Sequence, residues 1–134
     1  MGFRDASEVV TYIGGIFEKA YDDPALADKL RAAGIVLKFD FRDPDVVIVI
    51  DMATGEVTEG LGDKTPDAEM TMSSDVGNAY WQGKVNLPLA MAKGRIKVGG
   101  NVAAMLKVAP LSKQLFGTYV ARLEADGRDD LLVA

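Results

Sequence analysis

The stretch WQGKVNLPLAMAKGRIKVGGN, residues 81–101, decides the fold. Gly83 is placed to end one helix, and Pro88 favours the first turn of another because that position leaves its backbone N–H unpaired in any case. Gly94 ends this second helix. Residues 95–98 then alternate polar and apolar side chains, as a strand with one buried face does. The stretch therefore predicts two helices followed by a strand and a Gly-Gly turn.

Four further strands are predicted upstream of this stretch. Residues 35–42 alternate apolar and polar side chains, and residues 46–52 are apolar on both faces, which is typical of an internal strand. Residues 56–61 predict a weaker third strand, and residues 68–73 alternate again. The intervening DPD and ATG sequences are turn formers. The first three strands are therefore predicted to form an antiparallel meander.

Helix signals surround these strands. Asp5 with Glu8 predicts a capping box, and the Asp23-Pro24 pair predicts an N-cap followed by a first-turn proline. Asn101 predicts the N-cap of the last long helix, which Pro110 should kink or break. The order of elements predicts one α+β domain over residues 1–134, with helices covering one face of a five-stranded sheet.

Composition excludes several kinds of chemistry. The 134 residues contain no cysteine and no histidine, which removes disulfides, thiolate nucleophiles, His-containing triads and imidazole metal sites. An isoelectric point near 4.7 argues against nucleic acid as a partner. The sequence shows no signal peptide and no apolar run long enough to span a membrane, so a cytoplasmic domain without a cofactor is expected.

The deciding stretch resembles the signature of the sterol carrier protein type 2 family of lipid-binding domains. The resemblance rests on Gly83-Lys84, Pro88, Ala90, Gly94-Arg95 and the following Lys-Val-x-Gly, together with the strand over residues 67–75. Length and element order fit the family over nearly the whole chain. The resemblance implies an SCP2-like fold with a five-stranded, mixed but mainly antiparallel sheet.

The resemblance also implies a function, namely non-catalytic binding of an apolar lipid such as a fatty acid, an acyl-CoA or a sterol, with intracellular transfer of that lipid as a further expectation. The expected ligand site is an apolar tunnel between sheet and helices. On spacing alone, the same apolar residues fit ordinary core packing, although methionine is common where a surface accepts varied ligands. The candidate lining residues are Met72, Trp81, Leu87, Met91, Ile96, Val98, Met105, Leu106, Ala109 and Phe116.

Two alternatives compete with a lipid carrier. A small enzyme of the ketosteroid isomerase type can work in an apolar pocket with an aspartate base and a tyrosine donor, and it needs no histidine. Its candidates here are Asp40, Asp51, Tyr12 and Tyr119, although solvated carboxylates explain the two aspartates more simply and a closing helix does not fit that fold. The second alternative is an accessory or dimerisation module of a lipid enzyme.

Charge is distributed unevenly along the chain. Residues 76–123 contain seven basic residues and no acidic residue, whereas the chain as a whole carries −5. One interpretation is internal pairing of the basic segment with the acidic remainder. The other is a basic surface that contacts anionic membranes, for which Lys93, Arg95 and Lys97 are the candidates.

Overall fold

The computed structural model describes residues 2–133, and five strands in it form one mixed sheet. The spatial order is β3-β2-β1-β4-β5. The pairs β1–β2, β2–β3 and β4–β5 are antiparallel, and β1–β4 is parallel. This arrangement confirms the predicted α+β class and the meander. The strands are β1 Val36–Arg42, β2 Val46–Asp51, β3 Glu56–Glu59, β4 Ala68–Ser73 and β5 Lys97–Gly100.

The helices occupy the remainder of the chain. The first long helix is built from α1 Ala6–Val9, a π-helical turn Val10–Gly14 and α2 Gly15–Ala20. The others are α3 Pro24–Ala33, α4 Ser74–Trp81, α5 Leu87–Ala92, α6 Val102–Val108 and α7 Phe116–Ala125, with 3-10 segments at Ala109–Leu115 and Asp129–Leu131. Among residues 2–133, no helix combines the length and the apolar character needed to cross a bilayer.

Local sequence explains where the helices begin. A side-chain oxygen accepts a hydrogen bond from a backbone N–H in the first turn of five helices, which compensates donors that have no partner within the helix. The capping residues are Asp5, Asp23, Ser73, Asn86 and Asn101. Pro110 lies in the 3-10 segment that separates α6 from α7, as expected of a residue that cannot continue an α-helix.

Alternation along β1 separates the core from the outer face of the sheet. Leu37, Phe39 and Phe41 are buried under the helices, whereas Lys38 and Asp40 point to the other face. The core residues of the neighbouring strands stand beside them in register, so the helix-facing side of the sheet is continuous and apolar. The helices cover this side because its burial is the main source of stability.

The fifth strand begins two residues later than the sequence predicts. The backbone N–H groups of Arg95 and Ile96 both donate to the carbonyl of Ala90, at 2.9 and 3.3 Å. These two donors therefore complete the end of α5, and pairing with β4 begins only at Lys97. The third strand likewise ends at Glu59, before the predicted residue 61.

The paired glycines in the first helix sit where that helix touches its neighbours. A Cβ on Gly14 would lie 3.6 Å from the Val57 side chain of β3, and one on Gly15 would lie 2.5 Å from Nη1 of Arg122 on α7. The Gly14 position is at an ordinary van der Waals distance, and the Gly15 position is tight only against the flexible end of Arg122, so these contacts do not require glycine at either position. Their neighbours show that the first helix packs against both the sheet and the last helix.

Candidate lipid-binding cavity

An apolar cavity lies between the sheet and the helices. Its floor is the core face of β1 and β4, and its walls come from α2, α3, α4, α5, α6 and the 3-10 segment that follows α6. Every strand or helix that contributes does so with side chains from its buried face. The lining consists of Phe17, Leu26, Leu30, Leu37, Phe39, Phe41, Met52, Met70, Met72, Tyr80, Trp81, Leu87, Met105, Val108, Ala109, Leu111, Ser112 and Leu115.

Paired strands build the floor of the cavity. Phe39 stands beside Met70, and Phe41 beside Met72, because β1 and β4 run parallel in this register. The rings of Phe39 and Phe41 are stacked at 5.8 Å between centroids. Methionine side chains are flexible and polarizable, so this floor can adapt its shape to an apolar chain more readily than a floor of branched residues.

Trp81 forms an aromatic wall at the end of α4. Its ring meets Phe17 edge to face at 5.1 Å, and it meets Tyr80 and Phe116 in the same manner at 5.5 and 6.2 Å. The side chain is 3% exposed. As the only tryptophan of the chain, it reports directly on events in the cavity.

The cavity is small as it stands. Its volume is about 50 Å³, whereas pockets that hold drug-sized ligands measure roughly 300–1,000 Å³. A long acyl chain or a fused ring system therefore fits only if helices move away from the sheet. The elements best placed to move are α6 and the 3-10 segment, because a proline interrupts their backbone hydrogen bonding at position 110.

One pair of hydroxyl groups gives the cavity a polar end. The Tyr80 hydroxyl lies 2.6 Å from that of Ser112, and the Ser112 hydroxyl donates to the backbone carbonyl of Ala109, also at 2.6 Å. Burial raises the pKa of Tyr80 above its usual value, with the Ser112 hydrogen bond acting weakly in the opposite direction. The phenol is therefore protonated at neutral pH. No lysine, arginine, aspartate or glutamate lines this cavity.

The structure brings five of the ten candidate lining residues to the cavity, namely Met72, Trp81, Leu87, Met105 and Ala109. The other five lie elsewhere. Ile96 is buried in the core, and Phe116 packs behind Trp81. Leu106 is 44% exposed, because it follows Met105 on α6 and so points away from the cavity. Met91 and Val98, on α5 and β5, are only partly buried and are not part of the lining.

Sequence reasoning did not select the lining residues that come from the N-terminal half. Leu26 and Leu30 are four residues apart on α3 and present one face to the cavity, and Phe17 enters from α2. Their helical spacing was visible in the sequence. Spacing identifies a buried face, but it does not say which buried residues border a gap.

The four residues considered for an isomerase lie outside the cavity. Asp40 faces Arg42 on the outer side of the sheet at 3.4 Å, and Asp51 is 3.0 Å from Nζ of Lys64. Tyr12 donates to Asp126, and Tyr119 donates to Oδ1 of Asn78. Tyr12 and Tyr119 line a separate surface pocket with Arg122, and neither aspartate reaches that pocket.

The basic segment remains largely unpaired. Within residues 2–133, Arg122 is the only one of its seven cations that forms a salt bridge, with Asp126 at 3.8 Å. Lys93, Arg95 and Lys97 are all exposed. Leu89, one helical turn before Lys93, is 50% exposed. This part of the surface therefore combines free positive charge with an exposed apolar side chain.

The fold is a mixed five-stranded sheet with an apolar cavity beneath its helices, and sequence comparison identifies the family to which it belongs. The sequence model of the SCP-2 sterol transfer family matches residues 15–113, and the protein belongs to that family. No curated protein matches the chain at a significant level.

Solved structures support the same assignment. The sterol carrier protein domain 2 of Helicoverpa armigera is 26% identical, with a TM-score of 0.69, over 81% of this chain and 89% of that one. Sterol Carrier Protein 2 from Yarrowia lipolytica is 21% identical, with a TM-score of 0.63, over 75% and 87% of the two chains. Palmitated SCP2L2 from Aedes aegypti is 19% identical, with a TM-score of 0.60, over 78% and 93%. The latter two similarities show the fold alone.

Proposed function

We propose that the protein binds an apolar lipid, such as a fatty acid, an acyl-CoA or a sterol-like molecule, in the cavity between sheet and helices. The observation that carries this proposal is the continuous apolar lining, which draws on β1, β4 and six helical segments yet contains no charged side chain. Such a site binds by removing apolar area from water, worth about 25 cal/mol per Å². It requires no nucleophile and no metal, so the proposed role is non-catalytic.

Ligand entry has to enlarge the cavity. The 3-10 segment and α6 contribute six of the lining residues, and the capped start of α6 at Asn101 keeps that end of the helix in place. We expect these elements to tilt outward about that fixed end while β1 and β4 remain paired. The energy released by burying the lipid must exceed the energy lost by separating these apolar contacts.

A substitution that fills the cavity tests directly whether lipid binds there. Phenylalanine at Ala109 would occupy the lining, whereas phenylalanine at exposed Ala103 on the preceding helix α6 would not. Emission from Trp81 is followed while palmitate, palmitoyl-CoA or cholesterol is added. We expect at least one of the three to bind, Ala109→Phe to weaken its binding by more than about tenfold, and Ala103→Phe to leave it unchanged. A lack of response to all three ligands would contradict lipid binding.

We also propose that the exposed basic surface formed by Lys93, Arg95 and Lys97 contacts anionic membranes while lipid is loaded or released. Each basic residue near an anionic surface contributes about 1 kcal/mol, within a Debye length. Leu89 supplies an apolar side chain that can enter the interface beside these charges. The net charge of −5 opposes approach from a distance, so the contact depends on this local cluster.

A further inference from the structure

The hydrogen atoms of the polar pair in the cavity can be assigned from its geometry. A serine hydroxyl has one hydrogen, and the Ser112 hydroxyl directs it at the carbonyl of Ala109, which can only accept. The Tyr80 hydroxyl must then donate in the 2.6 Å contact with Ser112. Both hydroxyl hydrogens are therefore used inside the protein. Lone pairs remain on Tyr80 and Ser112, so this end of the cavity offers acceptors and no free donor.

The charge of the lining restricts the ligand further. No basic side chain lines the cavity, so a carboxylate that enters it loses its water and finds neither a cation nor a free hydroxyl hydrogen. Burial of an ionised group without a partner is strongly unfavourable. An uncharged group that donates one hydrogen bond carries no charge that needs a partner. The hydroxyl oxygens of Tyr80 and Ser112 can accept its hydrogen.

We propose that Tyr80 and Ser112 form a polar subsite that selects an uncharged amphiphile whose polar end donates an O–H or N–H hydrogen bond, over one that ends in a carboxylate. This inference rests on the proposed function, since it names the ligand class of the same cavity. The two residues join α4 to the 3-10 segment, so the subsite lies between an aromatic wall and the segment that must move on ligand entry. A ligand bonded there is held at one end while its apolar part fills the space over the floor.

A matched series of ligands separates the contribution of the head group to binding from that of the alkyl chain. Dodecanol, dodecyl methyl ether and dodecanoate share one alkyl chain, and at slightly alkaline pH they present a donor, a neutral acceptor and an anion. Binding to the wild-type protein is measured from Trp81 emission. We expect dodecanol to bind about three- to tenfold more tightly than the ether, as one hydrogen bond allows, and more tightly still than dodecanoate.

A single and a double variant should change the affinities for dodecanoate and dodecanol in opposite directions. A purely structural role of the two residues would not produce that difference. Ser112→Ala frees the Tyr80 hydrogen to donate, so dodecanoate should gain several-fold relative to dodecanol. The double variant Tyr80→Phe with Ser112→Ala removes both acceptors, so dodecanol should fall to the affinity of the ether. The ether oxygen can also accept the freed hydrogen, so the ether should gain relative to dodecanol in Ser112→Ala as well. Circular dichroism of both variants checks that they fold.

The outcomes distinguish the two proposals. Equal binding of the three ligands by the wild-type protein, or equal losses for all three in the variants, would overturn the polar subsite and leave lipid binding standing. Failure of every ligand, the ether included, would contradict the proposed function and the subsite with it.

Discussion

Nη1 of Arg128 lies 2.6 Å from Oε2 of Glu8, which joins two residues 120 positions apart in the chain. Arg128 also donates from Nε to Asp130 at 3.1 Å and is only 9% exposed. Its guanidinium lies over the Tyr12 ring at 5.9 Å. The Arg128 side chain therefore links the C-terminal segment to the first helix through hydrogen bonds.

Removal of that guanidinium should destabilise the fold. Arg128→Leu leaves the partly buried Glu8 without its cation, and hydrogen bonds to charged groups are worth about 1.5–3 kcal/mol. A loss of that size in the free energy of unfolding, measured with urea, is expected. Arg31→Leu is the control, because its pair with Asp28 is exposed and 3.9 Å long, and it should change stability by less than about 1 kcal/mol. Equal effects of the two variants would contradict this account of the pair.

Stability should also fall in acid. The Arg128 hydrogen bonds hold the pKa of Glu8 and of Asp130 below their usual values, and Lys64 does the same for Asp51. A carboxylate with a lowered pKa in the folded state contributes stability above its unfolded pKa, here about 4.5 for Glu8 and 3.8 for the aspartates. That contribution is lost as the pH falls through the folded pKa. The melting temperature should therefore drop below about pH 4.5, and Arg128→Leu should show a shallower drop.

Two helical glycines should respond to alanine in opposite directions. A Cβ on Gly77 would lie 2.7 Å from the Phe41 ring and 3.3 Å from Ile13, so Gly77→Ala forces core atoms apart and should destabilise by about 1–3 kcal/mol. Gly117 on α7 has no atom within 4 Å of such a Cβ. Gly117→Ala should therefore stabilise by about 0.5 kcal/mol. Chemical denaturation measures the free energy of unfolding of both variants. A gain in stability for Gly77→Ala would show that the core around Phe41 and Ile13 is less tightly packed than these distances indicate.

Much of the fold could be predicted because the periodicity of single segments was informative. The alternation that ends in Phe39 and Phe41 identified β1 and its buried face, and the turn residues after it identified the antiparallel meander. The late start of β5 was not predictable, since it depends on which carbonyl the N–H of Arg95 reaches after α5 ends. That choice is settled by the position of the helix and not by the side chains of residues 95–98.

The cavity was predictable only in part, for a related reason. The sequence shows which residues are apolar and how they are spaced, so Met72, Trp81 and Met105 were reasonable candidates. A gap in a core is a property of how the helices rest on the sheet. Leu30 and Phe17 reach the cavity from elements far from the deciding stretch, and no local pattern connects them to it.

Charge reversal should affect lipid transfer and not lipid binding. The triple change of Lys93, Arg95 and Lys97 to glutamate removes the exposed basic cluster without touching the cavity lining. Transfer of a fluorescent lipid to anionic vesicles should slow by more than about tenfold, because each charge near the surface contributes about 1 kcal/mol. Affinity for the same lipid in solution should stay the same.

A control with the same change in net charge isolates the effect of position. It reverses three cations of the N-terminal half, namely Lys19, Lys29 and Arg31, all of which are exposed. Transfer should slow much less in this variant, and added salt should slow the wild type but not the first variant. Equal slowing of both variants would mean that net charge, and not the basic cluster, governs the approach to the membrane.

Nuclear magnetic resonance of methionine methyl groups tests lipid binding in the cavity most directly. Met52, Met70, Met72 and Met105 line the cavity, whereas Met91 lies outside it on α5. Nuclear Overhauser contacts are measured between these methyl groups and the alkyl protons of bound dodecyl methyl ether. We expect nuclear Overhauser contacts from the ligand to the four lining methyl groups and none to Met91. Contacts to Met91 alone, or contacts to no methionine while the ligand is bound, would place the ligand outside the cavity and contradict the account.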